Sequence, residues 1–301
     1  MTGRPKRGIM ENLPNKTPIE SRWVRLSHED YLAKGNFLSS TDCKRLLRSP
    51  EYFMDCRLNP PEPTKAMELG TLIHSAVLEG ETFFRNAVKA PSFDKRTKAG
   101  KEGHAEFISS LTGSQKAVDA EDYEVIERIY ERLNKHPVVK GMFTTGKREI
   151  SGFANESTHG IASKIRPDFM IAHEGIIMDL KTTTDASRDE FERQIWQYHY
   201  EVSAYKYLHL ASIIERHEFE TYFYLAVEKV RPYSVALYRA DPAQLEAGEF
   251  LYKKSLRKYV EALEKKEWQG YQTEAEWIGL PAYALNKVSM ERELEEVKVS
   301  A

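Results

Sequence analysis

The chain has 301 residues, of which 41% are hydrophobic and 30% charged, enough to fold in water around a sizeable core. Its formal net charge of −2 excludes a generally basic protein, so any surface for nucleic acid must gather its Lys and Arg locally. Two cysteines, Cys43 and Cys56, are too few for a disulfide framework or a four-thiolate metal centre and fit a reducing, cytoplasmic setting.

The first residues, MTGRPKRGIMENLPNK, are basic but lack the apolar segment of a secretory signal, and no run reaches the length of a membrane span. Residues 1–27 are polar, carry Pro5, Pro14 and Pro18, and read as a flexible arm. Ser39 and Asp42 have capping-box spacing and open a helix that runs to Pro50. A Pro-rich link at 59–63 leads to a second helix over 65–79, stopped by Gly80. Residues 89–104, rich in Lys, Arg and Gly, read as a loop. An amphipathic helix follows over 119–135, with Val125, Ile126, Ile129, Tyr130 and Leu133 on one face.

The periodicity then switches to strands at about 148–154, 161–172 and 176–182, with turns at 155–160 and 173–175. A long helix is expected over 188–213, then strands at 218–228 and 233–239, and a last helix from an Asp241 cap to about Lys265. The order suggests an α/β (α+β) fold, a mixed sheet flanked by helices, in one domain over 28–286 with a charged tail at 287–301.

The third strand holds the chemistry. Side chains alternate along Ile176-Ile177-Met178-Asp179-Leu180-Lys181-Thr182, so Asp179 and Lys181 share a face of an otherwise apolar strand. A solvated ion pair is one explanation. If the turn before this strand has an even residue count, Asp168 sits across from Asp179, with Cβ atoms roughly 5 Å apart. Two carboxylates that close call for a cation between them, and a hard divalent ion with oxygen ligands meets that need. An odd count would put Asp168 on the other face. Glu149, on the preceding strand, can add a carboxylate or be an exposed strand residue. His74 lies in Gly70-Thr71-Leu72-Ile73-His74, in mid-helix beside an apolar stripe, and reads either as a packed histidine or as a ligand.

These segments, in this order, resemble the PD-(D/E)XK nuclease superfamily in its RecB-like branch, and most closely the nuclease domain of RecE-type exonucleases (exonuclease VIII). The matching segments are Gly70 to His74, Glu149, Arg166-Pro167-Asp168, Asp179-Leu180-Lys181 and the helix around Tyr198 to Tyr205. The resemblance spans about residues 28–285. It implies a PD-(D/E)XK core with Asp168, Asp179, His74 and the Leu180 carbonyl as metal ligands. Lys181 is then the catalytic lysine and Glu149 an accessory acid. The family's Gln-x-x-x-Tyr pattern has two registers here. Gln194 with Tyr198 fits literally. Glu201 with Tyr205 fits the local context better and is favoured, with Glu replacing Gln.

Lys95, Arg96, Lys98 and Lys101 gather in the loop after the His74 helix and are the expected DNA contacts, the alternative being a solvated loop. Lys44, Arg45 and Arg48 form a weaker second group. The resemblance implies Mg²⁺, with Mn²⁺ as a substitute, and no iron–sulfur cluster. It implies double-stranded DNA ends as substrate, 5′→3′ degradation, a tetrameric ring and a single-strand annealing partner, in the cytoplasm of a bacterial or phage-infected cell. An endonuclease on the same core and a DNA-binding module with a degenerate site are the alternatives.

Overall fold

A computed structural model describes residues 13–94 and 96–299. The chain divides into a unit that ends at Gln269 and a separate segment from Gly270 onward, so the boundary precedes the expected residue 286.

The N-terminal stretch from residue 13 is docked onto the fold. Leu13 is buried, and β1 (Arg22–Val24) pairs antiparallel with a later strand. The expected arm therefore does not extend through 27. The helices α1 (His28–Ala33), α2 (Ser40–Arg48) and α3 (Pro50–Leu58) come next. The Ser39–Asp42 capping box is present, and Pro50 starts α3 at the first helical turn, where its missing N–H costs nothing. Then come α4 (Lys65–Glu79), α5 (Glu81–Asn86), β2 (Ala87–Ala90), α6 (Lys98–Ser110), β3 (Lys116–Asp119), α7 (Ala120–Lys135) and α8 (Pro137–Thr145). The expected loop at 89–104 is thus the end of β2, a short connection and half of α6.

Strands follow: β4 (Lys147–Arg148), β5 (Ser151–Asn155), β6 (Ala162–Ile165), β7 (Phe169–Ile171) and β8 (Ile176–Thr183). Two expected strands are each broken in two. Glu149 takes a left-handed φ of 47°, which ends β4, and Pro167 separates β6 from β7 because it has no N–H to give a ladder. The helices α9 (Arg188–Gln197) and α10 (Tyr200–Glu215) replace one long helix, since His199 is left-handed at φ 50°. The strands β9 (Thr221–Glu228) and β10 (Val235–Arg239) and the helix α11 (Pro242–Lys265), capped by Asp241, complete the unit. Beyond it, residues 282–299 form α12 (Ala282–Val299), so the described part of the tail is helical.

The main sheet has the order β10-β9-β8-β7-β4. Within this sheet only β8 and β9 run parallel, and α9 and α10 make the crossover that a parallel pair requires. A second sheet has the order β1-β5-β6. Alternation along β8 sends Met178 and Leu180 into a core with Ile73 of α4 and Ile126 and Ile129 of α7. Ile177 faces the other way, toward Ala204, Leu208 and Ala211 of α10. Asp179 and Lys181 share that second face, so the site lies where β8 passes under α10. No helix among the described residues is long and apolar enough to cross a membrane.

Gly152 pairs with Trp23 of β1, and a Cβ there would lie 2.5 Å from the indole and 2.9 Å from Ile214. Gly152→Ala should lower stability by about 1–3 kcal/mol by displacing β1. A denaturant titration should show a lower midpoint at unchanged slope; an unchanged midpoint would mean that β1 adds nothing to the fold.

Candidate metal and phosphate site

The site begins where a ladder stops. The pairing Phe169↔Met178, Ile171↔Ile176 leaves residues 172–175 as the turn, an even number. The same register carried one step further sets Asp168 opposite Asp179. Because β7 begins only at Phe169, β8 has no backbone neighbour beyond Met178 on that side. The peptide groups of Leu180 are satisfied by side chains instead. Its N–H donates to Asp168 Oδ2 at 2.7 Å, and its carbonyl accepts from His74 Nε2 at 2.9 Å.

His74 reaches this edge from α4. Its Nδ1 donates to the Gly70 carbonyl at 2.9 Å, and Nε2 lies 3.5 Å from Asp168 Oδ2. Both ring nitrogens face acceptors, so the ring is an imidazolium. Gly70 is what lets α4 approach, since a Cβ there would sit 3.1 Å from Thr182 Oγ1. Burial works against the His74 charge, but Asp168 and the Gly70 carbonyl outweigh it and push the group up to about 9. Burial would likewise raise Asp168, but His74, Lys181 and the Leu180 N–H hold it below the usual carboxylate range. Burial and the Asp168 charge raise Asp179 against the pull of Lys181, whose ammonium is hydrogen-bonded to Asp179 Oδ2.

Glu149 stands beside this centre. Its N–H donates to the Asp168 carbonyl at 3.2 Å, and its carboxylate lies 3.6 Å from the Arg166 guanidinium. Two residues to which the sequence reading gave no role also belong here. Arg166 Nη1 donates to the Leu26 carbonyl and to Ser151. His28, the first residue of α1, is held low by burial and then by Arg166, and it feels Glu149, His74 and Asp168. Beside it is a cavity of about 510 Å³ lined by His28, Tyr31, Ser40, Arg45, Lys164 and Tyr207, among others.

The helix after β8 corrects one expectation. Tyr205 stacks on His209 with ring centroids 5.6 Å apart, is hydrogen-bonded to Glu249, and points away from the carboxylates. Tyr200 and Tyr207, one α-helical face of α10, point toward them. Lys181 Nζ lies 4.9 Å from the Tyr200 ring centre, and Tyr207 is hydrogen-bonded to Ser40 within the field of Asp168 and Asp179. A tyrosine seven residues after Tyr200 was the available signal. Glu201 is buried, with Oε1 3.0 Å from His199 Nδ1. Gln194 bonds Thr183 at the end of β8, and Tyr198 is half exposed against Tyr200. Arg96 pairs with Asp94 and Lys98 with Glu102 on an exposed surface, Lys101 is exposed, and Lys95 falls outside the described residues.

Among the described residues no group of three His, Cys, Asp or Glu side chains is set to hold a metal. Two carboxylates and a main-chain carbonyl nevertheless meet at one strand edge, and oxygen donors of this kind suit a hard divalent cation. His74 and Lys181 supply the positive charge that the carboxylates need.

A family model described as a PDDEXK-like domain of unknown function (DUF3799) matches residues 39–280. The fold is similar to a solved candidate exonuclease from Eubacterium rectale at a TM-score of 0.58 and 14% identity, covering 87% of this chain and 98% of that one. A phage-related exonuclease from Haemophilus somnus aligns at a TM-score of 0.31 and 11% identity, covering 77% of this chain and 96% of that one. No curated protein matches.

The raised His74 group has a measurable consequence in metal-free protein. Its folded value lies above its unfolded one, so its stabilisation is complete below about pH 6.5 and is lost as pH rises through about 9. The stability gap between wild type and His74→Gln, read by chelator-treated denaturation, should therefore be widest in mild acid and close toward pH 9. A gap independent of pH would contradict the imidazolium.

Proposed function

The chain belongs to the PDDEXK-like domain family, and on that footing we propose that it is a Mg²⁺-dependent deoxyribonuclease that degrades linear double-stranded DNA from its ends. The observation that carries this reading is Asp168 facing Asp179 across an open strand edge, with Lys181 on the second carboxylate and His74 on the carbonyl between them. A divalent ion bound there would lower the pKa of a water and offset charge on the phosphoryl oxygens. Asp168, Asp179, the Leu180 carbonyl and His74 are the groups that would hold it. For that, His74 gives up a proton and its bond to the carbonyl.

Lys181 then has two tasks. Its ammonium leaves or shares Asp179 and orients the attacking water or steadies the developing phosphorane oxygen. Tyr200 supplies an apolar wall against which Lys181 is held. Glu149 is tied by its backbone to Asp168 and by its side chain to Arg166, so it can hold a second polar group at the same edge. Mn²⁺ substitutes for Mg²⁺ in this reading. The 5′→3′ direction, a ring-shaped homo-tetramer and an annealing partner in recombination rest on the likeness of the motif set to RecE-type exonucleases. Two buried free thiols, Cys43 and Cys56, suit the cytoplasm of a bacterial or phage-infected cell.

Linear duplex with Mg²⁺ should be degraded and circular duplex spared, with chelator stopping the reaction. Asp168→Asn, Asp179→Asn and Lys181→Ala should each lose at least about a hundredfold in kcat, the scale for removing one transition-state interaction. Nicking of circles would indicate an endonuclease, and DNA binding without cleavage, unchanged in Asp179→Asn, would sink the enzyme reading.

The exposed cations of the α6 region allow a separate test. Neutralising Arg96, Lys98 and Lys101 should weaken DNA binding and flatten its salt dependence by roughly 0.9 in log–log slope for each phosphate that is no longer neutralised. An unchanged slope would leave that region as a solvated surface.

A further inference from the structure

Lys44 projects from α2 toward the strand edge that carries Asp179 and Lys181. Its Nζ lies 5.1 Å from the centre of the Tyr200 ring, and Lys181 Nζ lies 4.9 Å from the same ring. The charged groups that act on Lys44 are Lys181, Asp179 and Glu201. It is half-buried, yet among the described residues its ammonium has no hydrogen bond and no ion pair.

Four other lysines of this unit that are withdrawn from water have partners. Lys164 Nζ donates to the Tyr31 and Lys34 carbonyls, Lys206 Nζ to the Leu38 carbonyl, and Lys258 Nζ to the Leu47 carbonyl. Lys181 is bonded to Asp179. An ammonium taken out of water without a partner is costly, and a ring face returns only part of its hydration. Burial, and then the repulsion of Lys181, push the Lys44 amine down to about 7. What the position lacks is an anion.

Asp179 cannot be that anion while Lys181 holds it, and Glu201 Oε1 is bonded to His199 while its Oε2 has no partner. These two carboxylates favour a positive charge at Lys44 from a distance without contacting it. A group that would contact it must be anionic, small enough to reach a half-buried lysine, and placed beside the metal-binding carboxylates. A DNA phosphodiester meets all three conditions. A metal ion does not, being a cation like the Lys44 ammonium itself.

We propose that Lys44 is a substrate-binding residue of the reaction centre, its ammonium receiving a phosphate oxygen of DNA at or next to the scissile phosphodiester, over the face of Tyr200. This rests on the nuclease reading above and divides labour between the two lysines beside Tyr200. Lys181 is committed to Asp179 and the attacking water. Lys44 is free to meet the substrate. It also makes α2 part of the active site rather than an outlying basic surface.

The test uses the full chain with Lys44→Met, which keeps the aliphatic stem, and Lys44→Arg. With linear duplex and Mg²⁺, Lys44→Met should lose roughly ten- to hundredfold in kcat/KM, mostly through KM, the range for removing a hydrogen bond to a charged group. Lys44→Arg should recover much of it. Thermal midpoint and Mn²⁺ affinity by calorimetry should stay at wild-type values, which a merely structural role for Lys44 would not allow.

A second measurement replaces single phosphates near the DNA end by neutral methylphosphonates and reads binding in Ca²⁺. Wild type should lose affinity at one position, and Lys44→Met should lose nothing further there. Equal kcat/KM in wild type and Lys44→Met, or additive losses in the methylphosphonate series, would overturn the proposal while leaving the nuclease reading intact. Wild-type protein that binds DNA without cleaving it would overturn the nuclease reading, and the methylphosphonate series would still decide on Lys44. Protein that neither binds nor cleaves DNA would overturn both.

Discussion

The peptide of Leu180 is the point on which the site depends. In a continued ladder its N–H and carbonyl would face the backbone of β7, but β7 begins only at Phe169. A buried strand edge with unpaired polar groups is costly, so something must take the missing strand's place. Asp168 and His74 do so, one accepting from the N–H and the other donating to the carbonyl. The functional groups are thus held by the same bonds that hold a sheet together. Their positions are set by backbone register rather than by a loop, which is what the proposed metal site would require.

Electrostatics follow from that geometry. Two carboxylates placed opposite each other in the interior cannot both stay charged unless cations stand close. Here His74 attends Asp168 and Lys181 attends Asp179, while Arg166 attends Glu149. Each cation comes from a different segment, so the charge balance is also a tertiary constraint joining α4, the link between β6 and β7, and β8. Such pairs bring little net stability, because desolvation consumes most of the attraction. Under the proposed function their value lies in exchangeability: a divalent ion would replace the positive charge of His74 without leaving the carboxylates bare.

The site's central hairpin was legible in part. Side-chain alternation placed Asp179 with Lys181, but the sequence left the parity of the turn open, and only the four-residue turn at 172–175 places Asp168 across from Asp179. Caps were legible from local spacing, as Ser39 with Asp42 and Asp241 show. The misses share a different origin. Glu149 and His199 take left-handed conformations that nothing in their residue type announces, and each splits an element that periodicity reads as continuous. Pro50 and Pro137 look like stops but begin helices. Which face of α10 meets the sheet is decided by the break at His199, so the sequence pattern favoured Tyr205 where the structure brings Tyr200 and Tyr207. Arg166 and His28 reach the site only through tertiary packing.

Two buried lysines explain how the early segment comes to roof a site encoded far downstream. Lys164 of β6 is buried and donates to the Tyr31 and Lys34 carbonyls at the C-terminal end of a short helix, where a cation is favoured. Lys206 of α10 does the same for the Leu38 carbonyl, just before α2 begins. The Leu38 backbone also exchanges bonds with the second sheet, its N–H donating to Ala162 and its carbonyl accepting from the N–H of Lys164. Burial pulls the Lys164 amine down to about 8 and lowers that of Lys206 too, against the opposing pull of Asp42 on both. Removing either would take a charged donor from these carbonyls and loosen the attachment. Residues 28–48 are therefore fixed to β6 and α10 at two points. That double attachment holds His28 and α2 against the open edge of β8.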